Sequence, residues 1–141
     1  MMQKTKDSLL NTDTEQSDIK LWLRLLSCVD SIETELRIRM REQFGSTLPR
    51  FDLLSQLERF PDGIKMGELS RRMLVTGGNI TGLADGMEKE GLVERATDIQ
   101  QRRTWHIKIT PAGLDLFKKM AEAHQSWINE IMMHSDIEGL C

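Results

Sequence analysis

The chain has 141 residues, about the length of one domain, and its 39% hydrophobic and 29% charged residues are a globular composition. That mix excludes a chain too polar and charged to bury a core. A formal net charge of −3 excludes a histone-like basic coat, so any nucleic-acid contact must come from a local patch.

Residues 1–17 are polar and read as a flexible N-terminal segment without the apolar run of a secretion signal. From Asp18, a suitable N-cap, apolar residues recur at helical spacing through Ile19, Trp22, Leu25, Leu26, Val29, Ile32, Leu36, Met40 and Phe44 to Gly45. This spacing predicts a first helix of roughly seven turns. Its most apolar stretch, 21–26, is broken by Arg24, so no membrane span is expected. Thr47-Leu48-Pro49 predicts a second helix start with Pro in the first turn, running to Phe60 before the turn Pro61-Asp62-Gly63.

Ile64-Lys65 reads as a short extended piece. Met66, Leu69 and Met73 give one face of a two-turn helix, and Leu74-Val75 a turn. Thr76 is the expected N-cap of the next helix, which runs to Glu90 with Ile80, Leu83, Ala84 and Met87 inward and Gly91 as its C′ residue. The run 92–96 and the alternating run Trp105-His106-Ile107-Lys108-Ile109 predict a hairpin with a long basic tip. Thr110-Pro111 caps and opens the last helix, lined by Leu114, Phe117, Met120, His124, Trp127, Ile128 and Ile131.

A helix, a tight turn, a second helix and a basic hairpin, in that order, make the winged helix-turn-helix layout. The second helix of the pair offers Thr76, Asn79 and Thr81 near its start. Asn pairs with an adenine edge, and Thr reaches a phosphate or a thymine methyl. Gly77, Gly78, Gly82 and Gly86 fall within ten residues and weaken this helix by about 1 kcal/mol each against Ala. Close approach of the backbone to another molecule would explain them. Residues 95–108 hold four basic side chains, Arg95, Arg102, Arg103 and Lys108, against Asp98 alone. Two arginines on a loop are commonplace, but after such a helix pair they read as a wing that clasps phosphates. Arg71 and Arg72, on the first helix of the pair, approach the DNA backbone.

These stretches resemble the MarR family of bacterial winged-helix transcription regulators. The resemblance covers residues 18–132. It is carried by MGELSRRMLVTGGNITGLADGMEKEGLVER and RRTWHIKITPAGLDLFKKM, above all by Glu68 to Arg72, Gly91 to Arg95 and Ile109 to Gly113. It implies a mainly α fold with a small β-hairpin wing. A winged DNA-binding lobe (46–110) would sit beside a helical dimerisation lobe (18–45 and 111–134), both within one domain, 18–141. It also implies a homodimer that binds double-stranded DNA at a pseudo-palindromic operator in the cytoplasm, on the bacterial nucleoid, as a repressor released by a ligand. A long helix with an apolar stripe, too large to bury on so small a lobe, points the same way. Three departures stand out. Gly77, Gly82 and Gly86 stand where relatives often carry arginine, Gln101 stands where relatives carry a wing aspartate, and the chain stops at Cys141, so the dimer lobe is expected to be trimmed.

The family's usual effectors are small aromatic or phenolic acids. The candidate contacts are Trp22, Arg24, Phe51, His124 and Trp127, although Trp at helical spacing is more often core. Some relatives sense oxidants through a first-helix cysteine. Cys28 occupies such a helix, but with no Tyr in the chain to support a thiolate the expected state is a buried, inert thiol. Cys28 and Cys141 form no CxxC, which argues against a disulfide scaffold or zinc knuckle. His106, His124 and His134 show no ligand spacing, so no metal or other cofactor is expected, and no catalytic arrangement stands out. The alternative of another class is a winged-helix module that binds protein instead of DNA. Steep salt dependence separates the two.

Overall fold

The structure is a computed structural model. It describes the backbone over residues 2–73, 79–97 and 105–134, and the side chains over 14–73, 79–96 and 106–133. The chain divides into two compact units, Met1–Glu35 with Ile128–Cys141, and Leu36–Trp127. Helices α1 (Met2–Phe44) and α5 (Pro111–His134) each contribute to both. Among the described residues, no helix is long and apolar enough to cross a membrane.

Helix α1 does not start at Asp18 as expected. It runs from Met2, because residues 2–17 contain neither Gly nor Pro and a nucleated helix gains one bond per added residue. It stops at Gly45, whose φ of +60° only glycine adopts without strain and whose N–H donates to the Arg41 carbonyl at 2.9 Å. In the first unit Ile19, Leu21, Trp22, Leu23, Leu25, Leu26 and Val29 are 44–58% exposed. Cys28 is buried in the same stretch.

The second unit holds the main core. Met40, Leu53, Leu54, Leu57, Leu69, Met87, Val93, Ile107 and Met120 are all fully buried. Helix α2 (Leu48–Glu58) starts where the sequence places it, with Thr47 in extended conformation accepting the Arg50 N–H at 3.4 Å. Strand β1 (Ile64–Lys65), helix α3 (Met66–Arg72) and helix α4 (Ile80–Lys89) follow. Strands β2 (Val93–Thr97) and β3 (Trp105–Ile109) complete an antiparallel sheet of order β1-β3-β2. Ile107 pairs with Ile64 on one side and Arg95 on the other. The alternation is as read from the sequence: Ile107 and Ile109 are buried while Lys108 is exposed.

One junction fixes the wing to its neighbours. Helix α4 closes in a Schellman motif, with the Gly91 N–H donating to Glu88 O and the Leu92 N–H to Met87 O, both at 3.0 Å. Gly91 adopts φ +75° there. Thr110 then donates its N–H to Leu92 O at 3.1 Å and its hydroxyl to Gly91 O at 2.6 Å. The same hydroxyl accepts the Gly113 N–H at 3.0 Å and so caps α5. One threonine thus joins the end of α4, the start of β2 and the start of α5.

Candidate nucleic-acid interface

The helix pair forms, but α4 begins later than the sequence reading placed it. Its N-cap is Asn79, whose Oδ1 accepts the Gly82 N–H at 3.2 Å, and its first residue is Ile80. Thr76, the expected cap, lies outside the described residues with Gly77 and Gly78. Both Thr and Asn cap helices well, and the later of the two is used. Asn79 therefore has a structural duty in addition to the base contact assigned to it. Gly82 has a local reason too: a Cβ there would stand 3.3 Å from Asn79 Nδ2. Gly86 is different, because a Cβ there would meet nothing within 4 Å, so its backbone is open to approach. Asn79, Thr81 and Gly82 are all exposed, while Ala84 and Met87 anchor the opposite face in the core.

Arg71 is exposed on the last turn of α3. Arg72 is engaged locally. It donates to Glu68 Oε1 from Nη2 at 3.0 Å and from Nε at 3.2 Å, and its guanidinium lies 4.8 Å from the Phe60 ring centroid. Arg95, expected among the phosphate contacts, points inward to α4. Its Nη2 pairs with Asp85, its Nε donates to Glu88 Oε2 at 3.2 Å, and its backbone N–H donates to the same oxygen at 3.0 Å. Hydrogen bonding from Arg95 holds the Glu88 carboxyl below its usual range, and the two carboxylates raise the Arg95 guanidinium in turn. Glu90, at the end of α4, pairs with Arg50 of α2. Neither partnership was visible in the sequence, since no periodicity connects residues 50 and 90. Arg102 and Arg103, with Gln101, lie outside the described residues.

The candidate effector residues separate. Phe51 stacks on Phe117 at 5.7 Å between centroids and lies 4.8 Å from the His124 ring. Burial pushes the His124 imidazole below its ordinary range. Sequence spacing marks Phe117 only as an apolar position of the last helix, although it stands seven residues before His124 on the same helical face. Trp127 is buried against Phe44 at 6.2 Å and is core. Trp22 and Arg24 are exposed in the first unit. The buried thiol expected at Cys28 is a correction: the residue is buried but disulfide-bonded. The other cysteine, Cys141, lies outside the described residues. Among the described residues, no group of three or more His, Cys, Asp or Glu side chains is placed to hold a metal ion.

Comparison with known proteins agrees with this layout. The MarR family model matches residues 44–104, the stretch that holds α2, the helix pair and most of the wing. A MarR family transcriptional regulator from Silicibacter pomeroyi has the same fold with a TM-score of 0.73 and 34% identity, over 89% of this chain and 88% of that one. Sco3205 from Streptomyces coelicolor, solved in complex with DNA, shares the fold with a TM-score of 0.76 at 18% identity, over 87% of this chain and 78% of its own. The transcriptional activatory protein BadR of Rhodopseudomonas palustris is 27% identical over 126 residues, 86% of this chain and 71% of that protein. With a helix pair, a three-stranded wing sheet and a close match along nearly the whole of a solved relative, the chain belongs to the MarR family of transcriptional regulators.

Proposed function

We propose that the chain binds double-stranded DNA as a homodimer in the cytoplasm and represses transcription until a small aromatic or phenolic acid releases it. The observation that carries the DNA reading is the first turn of α4. It is capped, anchored from behind by Ala84 and Met87, and open to solvent at Asn79, Thr81 and Gly82. Short polar side chains on a supported helix are suited to base edges in a major groove. Arg71, Arg102 and Arg103 supply the phosphate contacts beside it.

The dimer reading rests on the first unit. Seven apolar side chains between Ile19 and Val29 stand 44–58% exposed, a larger apolar display than a monomer keeps in water. A second copy covers it and sets two recognition helices about 34 Å apart, one turn of DNA. The effector reading rests on Phe51, Phe117 and His124, a half-buried aromatic surface with one weak base. The ligand acts by favouring a dimer whose recognition helices are wrongly spaced.

The test is footprinting on the DNA flanking the coding region, with and without aromatic acids, beside sedimentation of the protein. The expected result is a dimer that protects two half-sites one turn apart, weakens steeply with salt and is displaced by an aromatic acid. Single chains with no salt-sensitive attachment to any duplex overturn the reading. Salt-insensitive capture of a protein in place of DNA supports a protein-interaction module instead.

A further inference from the structure

Helix α4 presents a charge problem to any DNA-facing role. With 3.6 residues per turn, Asp85 and Glu88 lie one and two turns beyond Thr81 on the same face. The face that offers Thr81 to a duplex therefore also carries two carboxylates, and the helix has Lys89 as its own cation. Two side chains reaching outward there would repel phosphates. Both carboxylates stay exposed, at 50% and 41%, but neither is uncompensated: Arg95 of β2 makes an ion pair to Asp85, one to Glu88, and sets its own backbone N–H on Glu88. The Arg95 side chain is only 16% exposed, which is poor placement for a phosphate contact. Hydrogen bonding from Arg95 lowers the proton affinity of the Glu88 carboxyl, in keeping with that pairing.

We infer that Arg95 is a positioning residue for DNA binding: it pairs with the Asp85 and Glu88 side chains and cancels their charge on the groove-facing side of α4. The inference rests on α4 being the DNA-facing helix. It differs from a direct phosphate contact in one measurable way. If Arg95 works through the carboxylates, its removal matters only while they are present.

The experiment is a double-mutant cycle read by fluorescence anisotropy, on a duplex selected from a random-sequence library by the wild-type protein. Arg95→Gln is expected to weaken binding about tenfold, the scale of one unscreened charge contact. Asp85→Asn with Glu88→Gln is expected to bind as well as wild type or better. Adding Arg95→Gln to that neutral background is expected to cost less than about threefold, since no carboxylate remains to be released. Equal losses in both backgrounds overturn the inference and make Arg95 a phosphate contact. Should Arg95→Gln fail to melt cooperatively, the Asp85→Asn/Glu88→Gln protein decides alone: a tenfold loss means the carboxylates hold Arg95 for DNA, which also overturns it. A wild-type protein that selects no duplex overturns the DNA reading itself, a result distinct from a flat cycle.

Discussion

Asn79→Ala removes the one side-chain cap of α4, the Oδ1 that accepts the Gly82 N–H at 3.2 Å. Loss of such a cap costs about 1 kcal/mol, within a range of roughly 0.5–2 kcal/mol. The helix has little in reserve. It is 10 residues long and carries Gly82 and Gly86 in its interior, each weaker than Ala by about 1 kcal/mol. The first turn, which holds Thr81, should therefore fray, and about 1 kcal/mol translates into an affinity loss of about fivefold. Because the damage is to the helix start, the loss should be similar for every duplex sequence. Asn79→Ser, which keeps a capping oxygen but lacks an amide to pair with adenine, should recover most of the affinity. Anisotropy titration of both variants on a selected duplex and on single-base variants of it measures this, with a thermal melt beside each. If Asn79→Ser binds as weakly as Asn79→Ala and both lose discrimination at one base pair, the amide reads a base and the capping argument is refuted.

Three further outcomes are expected. Gly113→Ala places a Cβ against the Leu92 carbonyl oxygen, far inside van der Waals contact, and 3.0 Å from Ile109 Cγ1. It should destabilise by about 3 kcal/mol or more and lower Tm by about 10 °C, and a melt within 1–2 °C of wild type would refute the packing of the α5 start against Leu92 and Ile109. Burial depresses the His124 imidazole in the folded state, so the unfolded chain binds the proton more tightly. Stability contributed by the neutral ring is then complete above about pH 6.5 and is lost as pH falls below it. A His124→Gln protein should show a flatter Tm profile between pH 7 and pH 5, and parallel profiles would exclude His124 as the source of that slope. Arg103→Ala should weaken all duplex sequences alike and reduce the slope of log K against log salt by about 0.9, while an unchanged slope would remove Arg103 from the phosphate contacts.

What the sequence made legible was local. Thr47 before Leu48-Pro49, Thr110 before Pro111 and Gly91 after Glu90 each signal an end through one or two neighbouring residues, and each end falls where expected. The strand period of 105–109 likewise needs no partner to be seen. The start of α1 is not legible because a polar stretch without Gly or Pro gives no stop signal, and polarity alone does not end a helix. The start of α4 is ambiguous in the sequence because two good caps, Thr76 and Asn79, stand three residues apart. The site was less legible than the fold. Charge alone suggests DNA contacts at Arg95 and Arg72, yet Arg72 meets Glu68 one helical turn away, and Arg95 meets carboxylates that only the folded chain brings near. Arg50 and Glu90 meet across 40 residues, and no local pattern carries that information.

These pairings bear on how an acidic chain approaches a polyanion. The carboxylates at 85, 88 and 90 are each met by an arginine from outside the helix, Arg95 or Arg50. Such pairs cancel charge near the duplex but add no attraction of their own. The attraction must then come from elements beside α4: Arg71 on α3 and the hairpin, with Lys108 exposed on β3. On this reading the two tasks are separated in the chain. The helix contributes shape and short polar side chains, with Gly86 leaving its backbone open, and so governs which sequences fit. The flanking cations govern how salt weakens all of them together. A helix of this kind would dock poorly if its first turn moved, so on this reading affinity depends on the Asn79 cap and the Arg95 pairs more than on any charge the helix carries itself.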